Sequence, residues 1–282
     1  MTFMLFLKRL RPLNLILIAL SQYLVFKVFA PYENNTIIPL LFSTFWIGAA
    51  GNIHNDYCDI LSDQINKKEN FFSGFNNRKI FWPFYILSNL SALYIGYVYT
   101  EVFYVLFFCS AFLYLYNWKI QKTAIFGNLV IALLSSISLY LPLIPADNSI
   151  SELPSNLFIL LCFLLASCFY LQFFREVVKD LIDYKGDYNA GFQTLPILIG
   201  KERTYKIMIV LSSVCVIALI YFLVWFVPKE SFSYLYFVLG LLLPACYLMA
   251  LTLKKKDALL SRISQIIKIL IGFGILYMTL YL

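Results

Sequence analysis

The stretch IIPLLFSTFWIGAAGNIHNDYCDILSD, residues 37–63, joins an apolar run long enough to cross a bilayer to a group of acids. A second stretch, LFILLCFLLASCFYLQFFREVVKDLIDYKGD at residues 157–187, repeats that order. Together the two stretches contain seven of the fifteen Asp and Glu residues of the chain. Carboxylates beside hydrocarbon are costly and usually functional, so both stretches predict membrane helices that end at a functional site.

Apolar residues dominate the rest of the chain as well. Of its 282 residues, 61% are hydrophobic and 13% are charged, and the mean hydropathy is +0.79. Nine apolar runs have the length of a transmembrane helix, near residues 12–30, 37–54, 80–99, 102–118, 124–144, 157–174, 207–227, 232–253 and 263–281. These features predict an all-α, polytopic membrane protein in which residues 1–282 form a single domain of nine transmembrane helices.

The net charge of +7 does not indicate a nucleic-acid partner, because the basic residues follow the membrane spans. Of the 22 Lys and Arg residues, only Lys27 and Lys229 fall at the span ends that this topology directs outward. Inner loops of membrane proteins carry most of the Lys and Arg residues. We therefore expect a multi-pass protein of the cell inner membrane, with a cytoplasmic N-terminus and both acidic groups at the cytoplasmic face.

The order of the loops predicts an internal repeat of four spans. A loop rich in acids and bases follows span 2 and another follows span 6, whereas loops with few acids follow spans 4 and 8. Any even-numbered loop is basic for topological reasons alone, so the matched acids are the stronger argument. Such repeats place a site at the interface between the halves, and we expect two four-helix pseudo-repeats plus one helix.

Within each acidic group the polar residues have helical spacing. The expected metal ligands are Asn55, Asp59 and Asp63 in the first group and Asp180, Asp183 and Asp187 in the second. Like charges stacked on one helix face repel each other, and a divalent cation such as Mg²⁺ removes that repulsion. A solvated acidic helix end is the alternative, but loops on this side of a membrane normally carry Lys and Arg. The pattern therefore favours a metal site that holds a phosphate-bearing substrate.

Basic residues on the predicted inner loops favour a diphosphate as that substrate. Lys119 and Lys122 follow span 4, and Arg175 and Lys179 come just before the second group of aspartates. A diphosphate needs Arg or Lys in addition to metal, because metal ions alone rarely neutralise all of its oxygens. Taken singly, each base is also explained by membrane topology or lipid headgroups, and this explanation is weakest for Arg175 and Lys179.

The remaining residue types that bind metals do not indicate a second site. The chain has a single histidine, His54, and its six cysteines show no paired spacing. We expect His54 to be a structural polar group, and we expect the cysteines, Cys58 included, to act as small apolar residues without a catalytic role.

The two acidic groups resemble the motifs of the UbiA family of intramembrane prenyltransferases. Asn55, Asp59 and Asp63 match the family pattern N-x-x-x-D-x-x-x-D, and Asp183 with Asp187 matches D-x-x-x-D. The resemblance implies Mg²⁺ as the cofactor, and a prenyl diphosphate donor and a lipophilic acceptor as partners within membrane lipid. The substrate-binding residues that it implies are Asn14, Asp56, Tyr116, Lys119, Lys122, Arg175 and Lys179.

Within the family, the chain is most similar to the digeranylgeranylglyceryl-phosphate synthase branch. The string REVVKD at residues 175–180 and the pair Gly186-Asp187 carry this similarity. It implies transfer of a geranylgeranyl chain to a prenylated glycerol phosphate. Gln64 stands where an Arg or Lys is common in the family, and the segment KKENFF at residues 67–72 replaces Arg-Pro pairs that are common in that loop. Both departures bear on substrate identity rather than on metal binding.

Residue chemistry and resemblance lead to one mechanism. The aspartates hold Mg²⁺ against the diphosphate, the bases neutralise its remaining charge, and the C–O bond loosens to an allylic cation. Asp59 and Asp183 are the expected catalytic residues, and Asp59 is the candidate acceptor of the hydroxyl proton. Two alternatives stay open: an aromatic acceptor of quinone or haem synthesis, and a cation-coupled secondary transporter.

Overall fold

The computed structural model describes residues 2–30, 37–99, 102–146, 153–229 and 232–281. The α-helices in these ranges, numbered in chain order, are α1 Thr2–Arg9, α2 Pro12–Phe29, α3 Ile37–Cys58, α4 Ile60–Ile65, α5 Phe75–Arg78, α6 Phe81–Tyr99, α7 Phe103–Trp118, α8 Phe126–Tyr140, α9 Ser155–Asn189, α10 Leu195–Ile199, α11 Lys201–Phe226, α12 Phe232–Phe237, α13 Leu243–Leu253 and α14 Leu260–Tyr277. The predicted all-helical fold is confirmed for these residues, which contain no strand beyond one isolated bridge.

Seven helical segments of the described residues are long and apolar enough to cross a membrane. They are Pro12–Phe29, Ile37–Cys58, Phe126–Pro145, Ser155–Asn189, Lys201–Phe226, Phe232–Leu253 and Asp257–Leu280. The other two predicted spans are also helices, but α7 has only 16 residues. Helix α6 carries Trp82, Pro83 and Asn89, which lower its hydropathy. The structure thus places helices at the predicted runs, and seven of them have the length and hydropathy of a span.

Large apolar side chains lie both inside the bundle and on its outer surface. Phe174 and Phe237 are fully buried in the main core cluster. Ile217 and Trp225 on α11 are instead 65% and 70% exposed. Water penalises such exposure, whereas lipid tails are as apolar as the side chains themselves, so this surface is typical of a membrane protein.

Helix α9 is the longest element, with 35 residues. At 1.5 Å per residue it is about 50 Å long, whereas the hydrocarbon core of a bilayer is about 30 Å thick. It packs against α8, α11 and α14, and its C-terminal part carries the second acidic group. The helix therefore continues without interruption past the span that the sequence predicts at residues 157–174.

Helices α3 and α4 are separated only at Asp59, where the backbone has φ −91° and ψ 9°. The hydrogen bonds on either side persist, from Asp59 N–H to Asn55 O at 2.9 Å and from Asp63 N–H to Asp59 O at 2.8 Å. The helical spacing predicted for the first acidic group is thus kept across a local distortion. The second acidic group lies in one uninterrupted helix.

The two acidic groups meet where α4 packs against α9. Gly186 permits this close approach, because a Cβ at that position would lie only 2.6 Å from the backbone oxygen of Ser62. The neighbouring atom is backbone and has little freedom to move away. A larger residue would therefore separate α4 from α9 and, with them, the two halves of the site.

Candidate functional site

Side-chain contacts join the two acidic groups directly. Ser62 Oγ donates a hydrogen bond to Asp187 Oδ1 at 2.9 Å, and the Lys68 ammonium group forms an ion pair with Asp183. Both contacts run from α4 or the loop after it to α9. The structure therefore brings together two groups that the sequence places on separate predicted spans.

A cavity of about 30 Å³, the acidic cavity, lies between the two groups. The carboxylates that line it are Asp59, Asp63, Glu176, Asp180, Asp183 and Asp187. Lys179 is the one cation among the described residues that line it. Five of the six predicted metal ligands thus share one cavity with a large excess of negative charge.

Each aspartate of the acidic cavity is held by one side-chain donor of the protein. The pairs are Asp59 with Gln121 Nε2 at 3.0 Å, Asp63 with Asn70 Nδ2 at 2.8 Å, Asp180 with Asn128 Nδ2 at 2.9 Å, Asp187 with Ser62 Oγ at 2.9 Å, and Asp183 with Lys68. Four of these donors are neutral, so they leave the negative charge of the carboxylates uncompensated. Burial raises the pKa of Asp59 to about 6 and also raises the pKa of Asp63, because it removes hydration from the charged form.

The donor set of the acidic cavity fits a divalent cation. Carboxylate oxygens are the ligands that Mg²⁺ prefers, and a cation removes a repulsion that burial strengthens. As they stand, no three His, Cys, Asp or Glu side chains of the described ranges are grouped to hold one ion, and each aspartate faces its own protein donor instead. Metal binding at this cavity therefore requires the aspartates to exchange those donors for the ion.

Gln121 connects the first acidic group to the loop after α7. Its Nε2 donates to Asp59, and its Oε1 accepts a hydrogen bond from Asn55 Nδ2 at 2.8 Å. Asn55 Oδ1 in turn accepts from Arg11 at 3.0 Å. Asn55, the sixth predicted ligand, thus belongs to the same network although it lines the neighbouring cavity described below.

The two predicted bases of this loop lie outside the cavities. Lys119 is exposed, and Lys122 Nζ lies 5.2 Å from the centroid of the Phe192 ring. Neither lysine lines the acidic cavity or its neighbour. The residue of this loop that enters the site is Gln121, which lies between the two lysines in the sequence. Gln121 is uncharged, whereas the lysines were predicted as ligands because of their charge.

Asp56, one of the residues predicted to bind substrate, is buried and paired with two arginines. It is 2% exposed and forms ion pairs with Arg9 at 3.3 Å and with Arg11 at 3.1 Å. Asp56 lines neither cavity. It anchors the N-terminal segment to α3 just where Arg11 adopts a left-handed backbone conformation, with φ 56° and ψ 54°.

A second cavity, the apolar cavity, has a volume of about 750 Å³. Side chains from α2, α3, α7, α8, α9, α11 and α14 line it, and most of them are apolar. Tyr116, Glu176 and Lys179 line both cavities, so the two cavities meet at these residues. Of the residues predicted to bind substrate, the apolar cavity is also lined by Asn14 and Arg175.

Arg175 and Lys179, predicted as a pair of diphosphate ligands, both line the apolar cavity, but of the two only Lys179 also lines the acidic cavity. Both lie beside Glu176: Arg175 Nη1 is 3.2 Å from Glu176 Oε1, and Lys179 Nζ is 4.0 Å from Glu176 Oε2. Lys179 lines both cavities, whereas Arg175 lines only the apolar cavity. Their spacing by one helical turn therefore places them at different depths of the site.

His54 packs among aromatic rings and lines neither cavity. Its ring stacks on Tyr114 with a centroid distance of 4.9 Å and lies 5.5 Å from the ring centroid of Phe81. Cys58 likewise lines neither cavity. Both residues thus have the positions expected of structural side chains.

Most of the chain matches a known protein family. The sequence profile of the UbiA prenyltransferase family matches residues 14–268. The chain is 30% identical over 219 residues to the digeranylgeranylglyceryl phosphate synthase of Thermococcus sibiricus, a match that covers 76% of this chain and 75% of that protein. It is 28% identical over 274 residues to the protein of the same name from Methanothermobacter thermautotrophicus, with coverage of 92% and 89%.

Solved structures share the fold over nearly the whole chain. One, from work on digeranylgeranylglyceryl phosphate synthase in membranes, has a TM-score of 0.67 at 22% identity and covers 99% of this chain and 98% of its own. A UbiA homolog from Archaeoglobus fulgidus bound to GPP and Mg²⁺ has a TM-score of 0.61 at 18% identity, with coverage of 97% and 99%. At these identities the likeness shows the fold alone.

Proposed function

The chain belongs to the UbiA prenyltransferase family, and from that premise we propose that it transfers a prenyl group from a prenyl diphosphate to a lipophilic acceptor in the membrane. The preferred reaction is transfer of a geranylgeranyl chain to geranylgeranylglyceryl phosphate, because the curated relatives are named for its product. The observation that carries the proposal is the junction of an acidic and an apolar cavity at Tyr116, Glu176 and Lys179. The first cavity suits a diphosphate with its metal, and the second suits a prenyl chain.

The donor diphosphate belongs at the acidic cavity. The residues that would hold Mg²⁺ there are Asn55, Asp59, Asp63, Asp180, Asp183 and Asp187. When bound, the metal would neutralise the diphosphate and so favour its departure from the prenyl carbon. Lys179, at the junction of the cavities, supplies a further positive charge for a diphosphate oxygen.

The apolar cavity receives the prenyl chain of the donor. Its volume of about 750 Å³ lies within the range of ligand pockets, and burial of an isoprenoid chain in it is favourable because apolar surface leaves water. The apolar walls also exclude water from the reacting carbon. An allylic cation formed at the junction of the cavities is therefore captured by the acceptor rather than hydrolysed.

Asp59 and Asp183 are the catalytic residues of this proposal. They come from α3–α4 and α9, and both face the acidic cavity. Asp59 is held by the neutral amide of Gln121, so its carboxylate retains the charge needed to take a proton from the acceptor hydroxyl. Asp183, paired with Lys68, holds the opposite wall of the diphosphate site.

The protein is an integral membrane protein, as its seven apolar helices and its family indicate. We propose that α6 and α7 also cross the bilayer, which gives nine spans within one domain of residues 1–282. The positive-inside distribution of Lys and Arg supports a cytoplasmic N-terminus and an acidic cavity at the cytoplasmic face of the inner membrane. Helix α7, with 16 residues, spans if it stands close to the membrane normal.

A transfer assay with purified protein tests the proposal. The protein in neutral-lipid nanodiscs is incubated with Mg²⁺, radiolabelled prenyl diphosphates of several lengths, and either geranylgeranylglyceryl phosphate or an aromatic quinone precursor. We expect labelled digeranylgeranylglyceryl phosphate, with no product in excess EDTA. Product only with the aromatic acceptor would overturn the choice of acceptor, and no product with any acceptor would overturn the proposed function.

A further inference from the structure

Three cations from different elements face the apolar cavity away from the acidic one. Arg11 precedes α2, Arg175 lies on α9, and Lys268 lies on α14. All three line the apolar cavity, and none lines the acidic cavity. Lys268 thus shares the wall of the apolar cavity with Arg11 and Arg175. The fold therefore brings cations from three separate elements to the mostly apolar wall of one cavity.

This positive charge is not balanced within the apolar cavity. Among the described residues that line it, Glu176 is the one carboxylate, and it is shared between Arg175 and Lys179. Arg11 has its ion-pair partner, Asp56, behind the wall. No carboxylate of the described ranges lies within ion-pair distance of Lys268.

Arg175 also has an unused donor. Its Nε is buried and has no hydrogen-bond partner among the described residues, while its Nη1 bonds to Glu176 and Gln172. A buried donor without a partner is destabilising, by an amount comparable to a lost hydrogen bond. Guanidinium groups match phosphate oxygens through paired N–H donors, so an anion in the cavity would satisfy the unused one.

We propose that Arg11, Arg175 and Lys268 form a second anion site, which binds the phosphate monoester of the acceptor lipid. The proposal rests on the proposed function and deepens it by assigning the two phosphate groups to separate places. The donor diphosphate requires metal and lies among carboxylates, whereas a phosphate monoester can be neutralised by three cations alone. With its phosphate held there, the acceptor can direct its hydroxyl toward the junction at Tyr116, Glu176 and Lys179.

The site also specifies the class of acceptor. An uncharged quinone precursor would leave Lys268 without a counter-ion and Arg175 Nε without a hydrogen-bond acceptor, which is costly. A lipid phosphate satisfies them and places its hydrocarbon chain against the apolar remainder of the cavity. An anionic lipid headgroup from the bilayer offers the same chemistry, because Lys268 and Ile269 of α14 are exposed as well as lining the cavity.

The substitution Lys268→Met tests the proposal, because it removes the charge and keeps an unbranched side chain that is only one atom shorter. The matched control is Lys254→Met, which changes an exposed lysine that lines neither cavity. KM is measured separately for donor and acceptor in nanodiscs of neutral lipid and of lipid with added phosphatidylglycerol. In parallel, protection against thermal unfolding is measured with geranylgeranylglyceryl phosphate in EDTA, which reports acceptor binding without turnover.

We expect Lys268→Met to raise the acceptor KM about tenfold or more, as expected for a lost charge-assisted phosphate contact, with the donor KM within about twofold of wild type. Lys268→Arg should restore most of the affinity. In EDTA, the acceptor should protect the wild type and Lys254→Met but not Lys268→Met. The dephosphorylated acceptor should protect none of them.

Three results would overturn the second anion site while leaving the proposed function intact. They are an unchanged acceptor KM in Lys268→Met, an equal rise of the donor KM, and an effect seen only with phosphatidylglycerol, which would make Lys268 a headgroup ligand. If the wild type transferred no prenyl group to the phosphate acceptor, the proposed function would fail instead. The protection measurement in EDTA would then still decide whether the site binds this phosphate lipid.

Discussion

At the level of single residues, side-chain donors of the protein hold the aspartates that line the acidic cavity. Gln121, Asn70, Asn128 and Ser62 each satisfy one carboxylate without neutralising it, and among these five donors only Lys68 carries a positive charge. Neutral donors orient the oxygens and are easily exchanged for a cation that offers a far stronger interaction. The arrangement therefore fits the proposed binding of a metal ion.

The charge of the aspartates, rather than their shape, should determine activity. Asp59→Asn and Asp183→Asn each keep the volume of the side chain but remove a carboxylate that faces the acidic cavity. We expect prenyl transfer to fall by more than the roughly 10–100-fold that a lost supporting contact costs a metal site. Thermal unfolding in detergent should stay close to wild type. Glu202→Gln, at an exposed residue outside both cavities, is the control and should retain activity.

Lys68 should compete with the metal for Asp183. Its ammonium group occupies that carboxylate and is about half exposed, with a relative side-chain exposure of 40%. Such an ion pair contributes about 0.2–1 kcal/mol, so Lys68→Met should lower the dissociation constant for Mn²⁺ by up to roughly fivefold, measured by electron paramagnetic resonance. Lys67→Met, at the adjacent exposed lysine, should leave it unchanged. Weaker Mn²⁺ binding in Lys68→Met would mean that Lys68 supports the metal site instead of competing with it.

At the level of elements, the site depends on how closely α4 approaches α9. The sequence pattern predicts both acidic helix ends and their i, i+3 and i+4 spacing, and the structure confirms that spacing. The sequence contains no signal for the distortion at Asp59. The distortion is local, since the hydrogen bonds on both sides of that residue remain helical. The role of Gly186 was also invisible, since close packing depends on a partner helix distant in the chain.

Gly186→Ala should therefore damage both stability and activity. The new Cβ would lie 2.6 Å from the backbone oxygen of Ser62, which has little room to retreat. Overpacking of this kind costs about 1–3 kcal/mol, so the midpoint of thermal unfolding should fall and prenyl transfer with it. Gly272→Ala on α14 is the matched control, because a Cβ there meets no described atom within 4 Å. Equal behaviour of the two variants would show that the α4–α9 contact tolerates separation.

At the level of the whole molecule, the sequence predicts features that depend on local residue patterns. It does not predict the positions of side chains that are set by the packing of the helices. Apolar runs and paired aspartates follow local rules, so the helices and the acidic residues were predictable. Gln121 and Lys268 reach the cavities only through tertiary packing, and neither belongs to a pattern in the chain. Lys119 and Lys122 show the converse: their charge is conspicuous in the sequence, but the fold leaves them outside the cavities.

The orientation of the bundle can be measured independently of activity. The distribution of Lys and Arg places the loop at Lys254 to Lys256 in the cytoplasm and Lys229 on the opposite side of the membrane. Green fluorescent protein inserted after Lys255 in a bacterial host should therefore fluoresce, whereas alkaline phosphatase inserted there should be inactive. Insertions after Lys229 should give the reverse pattern. The same pattern at both positions would place an even number of spans between them and would remove the segment 232–253 from the membrane. An exchanged pattern would turn the acidic cavity outward, away from a cytoplasmic supply of prenyl diphosphate.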